Sequence, residues 1–541
     1  MVVREQSDSH DPILLLPETQ SVTRTPPTER LERIEAWGMS SSSLSYVYRP
    51  TTEEGIIDAF EDAEAFGLPV ALKGGGNSYG DAFQCPEGIV IDLTRMTRIL
   101  EWSPQTGIIR CEPGVTIEQL WQYTLPDGWW PPVVPGTAKV TIGGAVAANI
   151  HGKNCFAVGP IGDHVLEFEL LTPTRDKIHC SRTENSDIFY AAIGGFGLLG
   201  VIFSVTLQMK RVHSGLLKVE PVSVASWREQ FSAFERLTGG GQADYVVGWV
   251  DAFSSGASSG RGLVHGAWHL GPGEDAHPEE TLRASAQALP DTFAGCLARS
   301  QLFRFMRPFV NRFGMRMVNA AKFRSGKRES GRIHRESLAR FSFLLDAAPN
   351  WKLSYGKAAL VQYQAFLPIE RAPEAFDRIV GLSQDRGMVP LLAVLKKHRQ
   401  DSFLLSHGLD GYSLALDYRV PQKARDAMNS LARALDEIVL ENRGRFYFAK
   451  DSTLFLGAPA AVWGEDAVAE FLAIKRRLDP ESVLQSALFT RVFGTVAPPS
   501  VSAPAEERPQ EWEQPSTVGA DEDEVGPPPW ALPGESEGKP R

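Results

Sequence analysis

Two side chains in this sequence are suited to acid–base chemistry. His151 lies inside a glycine-rich stretch, residues 136–165, where an imidazole can move a proton near neutral pH. Lys450 follows the aromatic run RFYFA. A lysine at the end of a buried aromatic strand can lose basicity by desolvation, or stay charged and hold an anion. Lys450 and His151 are therefore our candidate catalytic residues, and the alternatives from the residues alone are a surface lysine that ends a strand and a structural histidine.

The glycines around His151 predict a binding site for a large ligand. They are interleaved with alanines, so that the backbone can lie directly against a flat or phosphorylated molecule. A second cluster, 74–76, contains three consecutive glycines directly after the strand-like LPVAL, and its N–H groups can form an anion-binding nest. Two such clusters, about sixty residues apart, indicate a dinucleotide cofactor. The alternative for the stretch around His151 alone is a tight, alanine-packed bend in an ordinary core.

A third glycine group does not predict a Rossmann nucleotide site. Gly195, Gly197 and Gly200 satisfy G-x-G-x-x-G, but the sequence that follows, VIFSVTLQM, is typical of a β-strand and not of the required helix.

These motifs together resemble a known family. GGGNSYGD, PGTAKVTIGGAVAANIHGKN and GGFGLLGVIFSVTL are similar to the FAD-binding, PCMH-type domain of the vanillyl-alcohol-oxidase type of flavoprotein. Gln362-Tyr363-Gln364 and the run YFAKDS at 447–452 narrow the resemblance to relatives of decaprenylphosphoryl-β-D-ribose 2'-oxidase. It extends over roughly residues 37–493 and implies FAD as the cofactor.

The resemblance also assigns site residues. It places the following at the cofactor: Leu72, Lys73, Gly74, Gly75, Gly76, Asn77, Ser78, Tyr79, Gly80, Asp81, Ala82, Gly136, Thr141, Ile142, Gly143, Gly144, Ala148, Asn149, Ile150, His151, Ile202 and Tyr447. It places Gln362, Gln364, Lys396, Ser413 and Lys450 at the substrate. Many related oxidases have a flavin-linked histidine where this chain has Asn77. An amide nitrogen is not such a nucleophile, so we expect non-covalent FAD.

One strand departs from the family pattern. Some relatives carry Asn and Cys where this chain has Ser413 and Ala415, which reshapes the wall of the expected substrate site. Cys155, close to the cofactor stretch, is interpreted as a packed small residue.

The fold class expected is α+β. We predict an N-terminal arm (1–30), a two-subdomain FAD-binding domain (31–218), a substrate domain with an antiparallel sheet flanked by helices (219–445), a return to the FAD domain (446–495) and a disordered, proline- and acid-rich tail (496–541). In 358–367, alternation places Gln362 and Gln364 on one strand face, although glutamines on a solvated face are the alternative.

Composition excludes several classes of protein. A net charge of −11 disfavours a general nucleic-acid partner. The five cysteines have neither metal-ligand spacing nor an even number, so no metal site or disulfide framework is expected. The N-terminal sequence lacks the basic start and long apolar run of a signal peptide, and no apolar stretch of membrane-spanning length occurs. A cytoplasmic location is expected.

Residues 299–328 form a basic, aromatic segment without any acid. Its nine basic residues, mixed with phenylalanines and methionines, predict a lid-like segment that contacts an anionic membrane surface. The alternative is a solvated helix pair packed on the second domain.

The predicted activity is FAD-dependent oxidation of a secondary hydroxyl on a sugar, namely a polyprenyl-phosphate-linked pentose, to a keto sugar. The resemblance implies a role in cell-wall biosynthesis and a short-chain reductase partner that completes an epimerisation. The alternatives are an aldonolactone or alditol oxidase, a sterol-type FAD-dependent reductase, and a non-catalytic flavin-binding scaffold.

Overall fold

A four-stranded sheet begins the fold. The computed structural model describes residues 26–240, 242–288, 292–293 and 297–494. The sheet has the order β1–β2–β4–β3, with β2, β4 and β3 parallel and β1 antiparallel. Its elements are β1 (Leu31–Glu35), β2 (Ser42–Tyr48), helix α1 (Glu53–Phe66), β3 (Val70–Lys73) and β4 (Ile89–Asp92).

Helix α1 is amphipathic. Ile56 and Phe60 are buried, and Gly67 ends the helix with a φ of 62°, a conformation that glycine adopts without strain. The helix begins after Thr52, whose side chain accepts the N–H of Gly55 as an N-cap.

A five-stranded antiparallel sheet follows, within the region 31–218 that the sequence predicts to bind the cofactor. Its order is β5–β6–β10–β8–β9, and a separate two-stranded ladder joins β7 to β11. The strands are β5 (Ile99–Ser103), β6 (Ile108–Cys111), β7 (Trp129–Trp130), β8 (Val165–Leu171), β9 (Lys177–Ser181), β10 (Val201–Gln208) and β11 (Lys210–Arg211). The helices are α2 (Ile117–Thr124), α3 (Ile142–Ala147), α4 (Cys155–Val158) and α5 (Ser186–Ala192). Strand β10 confirms that a strand, and not a helix, follows Gly200.

An antiparallel sheet of eight strands dominates the rest of the chain. Its order is β17–β12–β14–β13–β19–β20–β18–β21. Its strands are β12 (Leu216–Val224), β13 (Tyr245–Val250), β14 (Gly262–His269), β17 (His334–Ser337), β18 (Ala359–Pro368), β19 (Leu392–His398), β20 (Gly411–Val420) and β21 (Arg445–Phe446). Strands β15 (Thr292–Phe293) and β16 (Leu297–Ala298) pair separately. The α+β class, with two sheets followed by an antiparallel sheet, is confirmed.

Helices cover one face of this large sheet. Tyr363, Leu416 and Leu395, from three neighbouring strands, pack in one core with side chains of α6, α12 and α13. The helices of this half are α6 (Trp227–Thr238), α7 (Pro278–Thr281), α8 (Ala284–Gln287), α9 (Leu302–Met306), α10 (Arg312–Glu329), α11 (Leu338–Ser342), α12 (Ala372–Asp385) and α13 (Arg425–Glu441). The opposite face of the sheet is turned toward the glycine-rich loops.

The basic segment is helical and lies on the large sheet. In α10, Asn319 donates to Asp251 at 3.1 Å. Gly326 lies so close to Leu263 that a Cβ would approach within 2.4 Å of its side chain. The outer side exposes Phe313 and Met317. Within the described residues, no helix is both long enough and apolar enough to cross a bilayer.

The C-terminal segment returns to the first sheet. It contains α14 (Ala458–Trp463), α15 (Glu465–Leu478) and α16 (Ala487–Phe493). Val70 donates to the carbonyl of Val483 at 2.7 Å, and Gln485 donates to that of Val70 at 2.8 Å. Residues 28–30, assigned to the arm, form a short 3-10 helix; the rest of the arm to residue 25 and the tail 496–541 lie outside the described residues. The domain boundaries stay predictions.

The run RFYFAKDS differs from its predicted form. The strand ends at Phe446, and the chain then turns, with Lys450 N–H donating to the carbonyl of Tyr447 at 2.9 Å. Lys450 is therefore presented by a turn and not by a strand.

Candidate active site

The two glycine clusters form one wall. Gly75 N–H donates to the hydroxyl of Thr141 at 3.1 Å, and the Asn77 amide donates to the carbonyl of Lys139 at 3.1 Å. A Cβ on Gly74 would lie 2.3 Å from the Thr141 hydroxyl. Only a residue without a side chain permits this approach. Loops that are far apart in sequence thus lie against each other.

The first loop presents unbonded backbone donors. Within the described chain, the N–H groups of Gly76, Asn77 and Ser78 make no hydrogen bond, and all three residues line a cavity. Consecutive free N–H groups in a turn with a positive-φ glycine, Gly76 at 64°, constitute an anion-binding nest. This donor set fits the phosphates of a dinucleotide such as FAD.

The cavity is large and mostly apolar. Its volume is about 570 Å³, within the range of small-molecule and cofactor sites. It runs between the glycine loops and the uncovered face of the eight-stranded sheet.

Most residues assigned by resemblance line this cavity. They are Leu72, Gly74, Gly75, Gly76, Asn77, Ser78, Tyr79, Ala82, Gly136, Thr141, Gly144, Ala148, Ile150, His151, Gln362, Gln364, Lys396, Tyr447 and Lys450. Eight assigned residues do not line it: Lys73, Gly80, Asp81, Ile142, Gly143, Asn149, Ile202 and Ser413. Ile202, for example, is buried in the core of the five-stranded sheet. The roles of all these residues stay predictions.

The register of the sheet brings the substrate-site residues together. Gln364 on β18 faces Ala415 on β20, which faces Val394 on β19. Two residues along the ladder, Gln362 faces Asp417. Residues two apart on a strand share a face, so both glutamines are turned toward the cavity. The predicted common face is confirmed, and it is not a solvated one.

His151 is buried in a polar network. Its Nε2 lies 3.2 Å from the Gln364 amide nitrogen, and its Nδ1 lies 3.4 Å from Lys396 Nζ. Gln364 also reaches the Ser413 hydroxyl at 3.1 Å, which His398 contacts at 2.8 Å. Burial, and then the charge of Lys396, lowers the pKa of His151 well below its usual value. His151 is therefore neutral at physiological pH.

A neutral imidazole fixes the directions of these hydrogen bonds. It cannot accept at both ring nitrogens. Burial lowers the pKa of Lys396 to about 8, so near neutral pH its ammonium is mostly charged and donates to His151 Nδ1. Nε2 of His151 then carries the proton and is a donor. The side-chain amide of Gln364 must therefore present its oxygen to Nε2, with its oxygen and nitrogen in exchanged positions, an assignment that hydrogen bonding decides. Both nitrogens of His151 are thereby occupied.

Lys450 is differently placed. Its Nζ lies 4.0 Å from the centre of the Tyr79 ring. Among the described residues it makes no side-chain hydrogen bond or ion pair of its own within 4.0 Å. Burial lowers the pKa of Lys450 to about 7, against the opposing effect of Asp417. This amine is free to exchange a proton near neutral pH.

Asp417 lines the cavity, although the sequence analysis assigned it no role. Gln362 donates to one carboxylate oxygen of Asp417, and the other oxygen is buried without a partner in the described chain. Burial raises the pKa of Asp417 to about 6. Asp417 follows Ala415 by two residues, so the period of a strand places it on the same face as Ser413 and Ala415. Its proximity to Lys450 required the tertiary structure.

Ion pairs of one arginine connect the two loops that carry Tyr79 and Lys450. Arg491 of α16 donates to Asp81 and to Asp451, each at 2.8 Å. Tyr79 N–H donates to the carbonyl of Ala449 at 2.9 Å. Asp81 therefore positions the loop without lining the cavity.

Cys155 is a packed residue, as interpreted from the sequence. Its thiol contacts Gly152 N–H and the Gly159 carbonyl, each at 3.2 Å, and burial raises its pKa to about 12. Cys155, His151 and His398 have ligand atoms within 4.8 Å of one another. Each already has a protein partner, and the charge of Lys396 disfavours a cation among them.

Comparisons with known proteins agree with this geometry. Residues 44–181 match the family model described as FAD binding domain. Decaprenylphosphoryl-beta-D-ribose oxidase of Mycolicibacterium smegmatis is 30% identical over 482 residues, which cover 87% of this chain and 99% of that protein. L-gulonolactone oxidase of Bos taurus is 28% identical over 177 residues, 32% of this chain and 40% of that protein. Cytokinin dehydrogenase 7 of Oryza sativa is 28% identical over 220 residues, 38% and 41% of the two chains.

The match over 87% of this chain shows the family, and the family model places the FAD binding domain at residues 44–181. The nest, the glycine wall and the cavity fit the cofactor that this family uses. The chain belongs to the PCMH-type FAD-binding oxidoreductases, in the family that includes decaprenylphosphoryl-beta-D-ribose oxidase, and is an FAD-dependent enzyme acting on CH–OH groups.

Proposed function

We propose that this enzyme oxidises a secondary hydroxyl of a polyprenyl-phosphate-linked pentose to a ketone. The observation that carries the proposal is the Lys450 amine, which lies over Tyr79 beside Gln362 and Asp417 at the wall of the glycine-lined cavity. FAD, when bound, accepts the hydride from the carbon that bears the hydroxyl.

The residues of the chain move the proton and hold the sugar. Lys450, with a pKa near 7, takes the hydroxyl proton in its neutral form. Gln362 and Gln364 offer amide groups from the sheet face to the other sugar hydroxyls. Lys396, held by His151, keeps positive charge at the wall and stabilises negative charge that develops as the hydroxyl ionises.

The substrate class comes from the full-length relative, whose name specifies a decaprenylphosphoryl ribose. The two proteins are 30% identical, and this chain has Ser413 and Ala415 where some relatives have Asn and Cys. The identity of the sugar is therefore proposed together with the reaction. The match to L-gulonolactone oxidase covers only 32% of this chain and 40% of that protein, so it supports no separate lactone activity.

Anaerobic reduction of the purified flavoprotein tests the proposal. A short-prenyl phosphoryl pentose should bleach the flavin absorbance, and mass spectrometry should find a product lighter by two hydrogen atoms. Aldonolactones, alditols and sterols serve as comparison substrates. Bleaching by one of these and not by the glycosyl lipid would replace the proposal with the corresponding alternative, and no bleaching by any would favour the scaffold.

The proposal includes a location and a consuming enzyme. A prenyl-linked substrate would be met at the cytoplasmic membrane surface by a peripherally bound protein. A short-chain reductase would reduce the keto sugar at the opposite face, which completes an epimerisation.

A further inference from the structure

The cavity extends along the sheet beyond the catalytic groups. Trp249 on β13 faces Val394 on β19, and His265 on β14 faces Val247 on β13. All four residues line the cavity. Neighbouring strands are about 4.8 Å apart, so β14 lies two spacings, about 10 Å, from the strand that carries Lys396. The cavity therefore has a second end, formed by β13 and β14.

Two lysines from other elements lie at this end. Lys322 of α10 places its Nζ 4.5 Å from the centre of the Trp249 ring, and its accessible side chain lines the cavity. Lys153 is buried, and its Nζ donates to the carbonyls of Phe341 and Ser342. Burial, and then the charges of Lys322 and Lys153, lowers the pKa of His265 to about 4, and all three residues line the same cavity.

Positive charge predominates in this cavity. Four lysines line it, whereas Asp417 is the one carboxylate among its described lining residues. Asp417 lies near Lys450. Lys322 and Lys153 have no carboxylate within ion-pairing distance in the described chain. Partial desolvation lowers the pKa of Lys322 to about 8, and burial lowers that of Lys153 to about 7, so both retain charge near neutral pH. The Lys153 charge is held away from water without a counter-ion, which is costly, and a bound anion would relieve that cost.

The phosphates of the cofactor do not account for this end. Their fitting donors are the N–H groups of Gly76, Asn77 and Ser78, which belong to the loop after β3. Lys322 and Trp249 come from α10 and the large sheet. Two separate sets of anion-binding groups thus serve one cavity.

We propose that Lys322, Trp249 and His265 form an anion subsite for the phosphate or phosphodiester group of the substrate, with Lys153 adding positive charge beside it. The subsite rests on the proposed function, because it belongs to the same cavity. The Trp249 face holds the Lys322 ammonium by a cation–π contact, and the ammonium donors remain available to phosphate oxygens. Neutral aldonolactones and alditols offer no such group, so the subsite selects phosphorylated sugars.

Calorimetric titration of the full-length, FAD-loaded protein tests the subsite. The probes are inorganic phosphate, a pentose 1-phosphate, a short-prenyl phosphoryl pentose and the uncharged methyl pentoside. Lys322→Gln should raise the Kd of both phosphorylated pentoses at least tenfold, about 1.4 kcal/mol, and leave the Kd of the methyl pentoside within about twofold. Lys322→Arg should keep most of the affinity. Equal affinity for phosphorylated pentoses with and without the prenyl chain would identify a free-phosphate site. Binding that requires the prenyl chain would identify a lipid headgroup site.

The matched control is Lys327→Gln, at an exposed lysine on the same helix. Its Kd values should equal those of the wild type. Unchanged affinity in Lys322→Gln, or an equal loss for the methyl pentoside, would overturn the subsite. Flavin absorbance per protein reports folding, and Lys322→Met, which keeps the stem on Trp249, replaces Lys322→Gln if that variant loses FAD. Lys322-dependent phosphate binding without flavin reduction by any pentose would overturn the proposed function alone.

Discussion

At the scale of single residues, two lysines with lowered pKa values have different surroundings. Lys396 donates to His151, so its charge is held in a network. Lys450 lies over an aromatic ring with no hydrogen-bond partner for its Nζ in the described chain. The free amine is the one able to take a proton from a substrate. On this difference we propose Lys450 as the base and His151 as a neutral group that positions Lys396.

Lys450→Ala removes the proposed base and leaves the glycine nest intact. The variant should stay yellow, while its anaerobic single-turnover flavin reduction slows by at least about a hundredfold. Stopped-flow absorbance measures this rate. Lys357→Ala, at an exposed lysine, is the control and should keep the wild-type rate. A Lys450→Ala variant that binds FAD and bleaches as fast as the wild type would transfer the base role to His151.

The pH dependence of the same rate reports the Lys450 amine. Since the neutral form takes the proton, the rate should rise with pH, reach half its maximum near pH 7 and level off above. The Asp417 carboxylate favours the charged form of Lys450. In Asp417→Asn the Lys450 pKa should therefore fall, and the midpoint should move to lower pH. A midpoint that stays or rises would show that another group controls the rate.

Non-covalent attachment of FAD follows from two side chains. The Asn77 amide is no nucleophile, and the Cys155 thiol is buried with its pKa raised to about 12, so no thiolate is available. Acid precipitation should release yellow FAD into the supernatant, measured by absorbance. Colour that remains in the pellet would contradict this prediction.

At the scale of elements, a buried ion pair in the C-terminal segment also bonds to the cofactor-binding half. In α15, Lys475 pairs with Asp479 at 2.7 Å and also donates to the carbonyls of Leu198 and Leu484. Both charged side chains are almost fully buried. The pair fixes the chain next to the edge of β3, the strand that delivers the glycine nest.

Lys475→Met leaves the Asp479 carboxylate buried without its partner. The free energy of unfolding should fall by about 3–5 kcal/mol. Arg477→Gln on the same helix breaks an exposed pair with Asp187 and should cost less than about 1 kcal/mol. Urea titration followed by tryptophan fluorescence compares the two. Equal losses would show that burial does not govern the contribution of the pair.

At the scale of the whole molecule, α9 and α10 have two distinct sides. The inner side of α10 packs on the large sheet and contributes Lys322 to the cavity. The outer side exposes arginines together with Phe305, Phe309 and Phe313. Both predictions for residues 299–328 are thus compatible with the structure. The helices pack on the second half of the chain, and their outer side exposes a basic, aromatic surface.

Anionic vesicles test this surface. Replacing Arg304, Arg316, Arg324 and Arg328 by glutamine should lower the vesicle-bound fraction in sedimentation, as should added salt, since each basic residue near an anionic surface contributes about 1 kcal/mol. The control replaces four exposed arginines elsewhere: Arg371, Arg378, Arg386 and Arg425. An equal effect of both sets would show that vesicle binding depends on the net charge of the protein and not on this surface. No effect of either would leave α9 and α10 as packed helices.

The sequence by itself determined the local features of this protein. The glycine clusters at 74–76 and 136–165 predicted a cofactor wall, because glycine alone permits such close backbone contact. Period-two alternation predicted the common face of Gln362 and Gln364, because successive side chains on a strand point to opposite sides. The family resemblance added FAD and the activity class.

Only the tertiary structure decided which of these features meet. Alternation does not reveal which strands are neighbours, so the proximity of Asp417 to Lys450 and of His265 to Lys322 had no local signal. The turn at Lys450 replaced the predicted strand because the loop carrying Tyr79 bonds to the backbone there. The lowered pKa values depend on burial by residues from distant parts of the chain, a property that no stretch of sequence possesses alone.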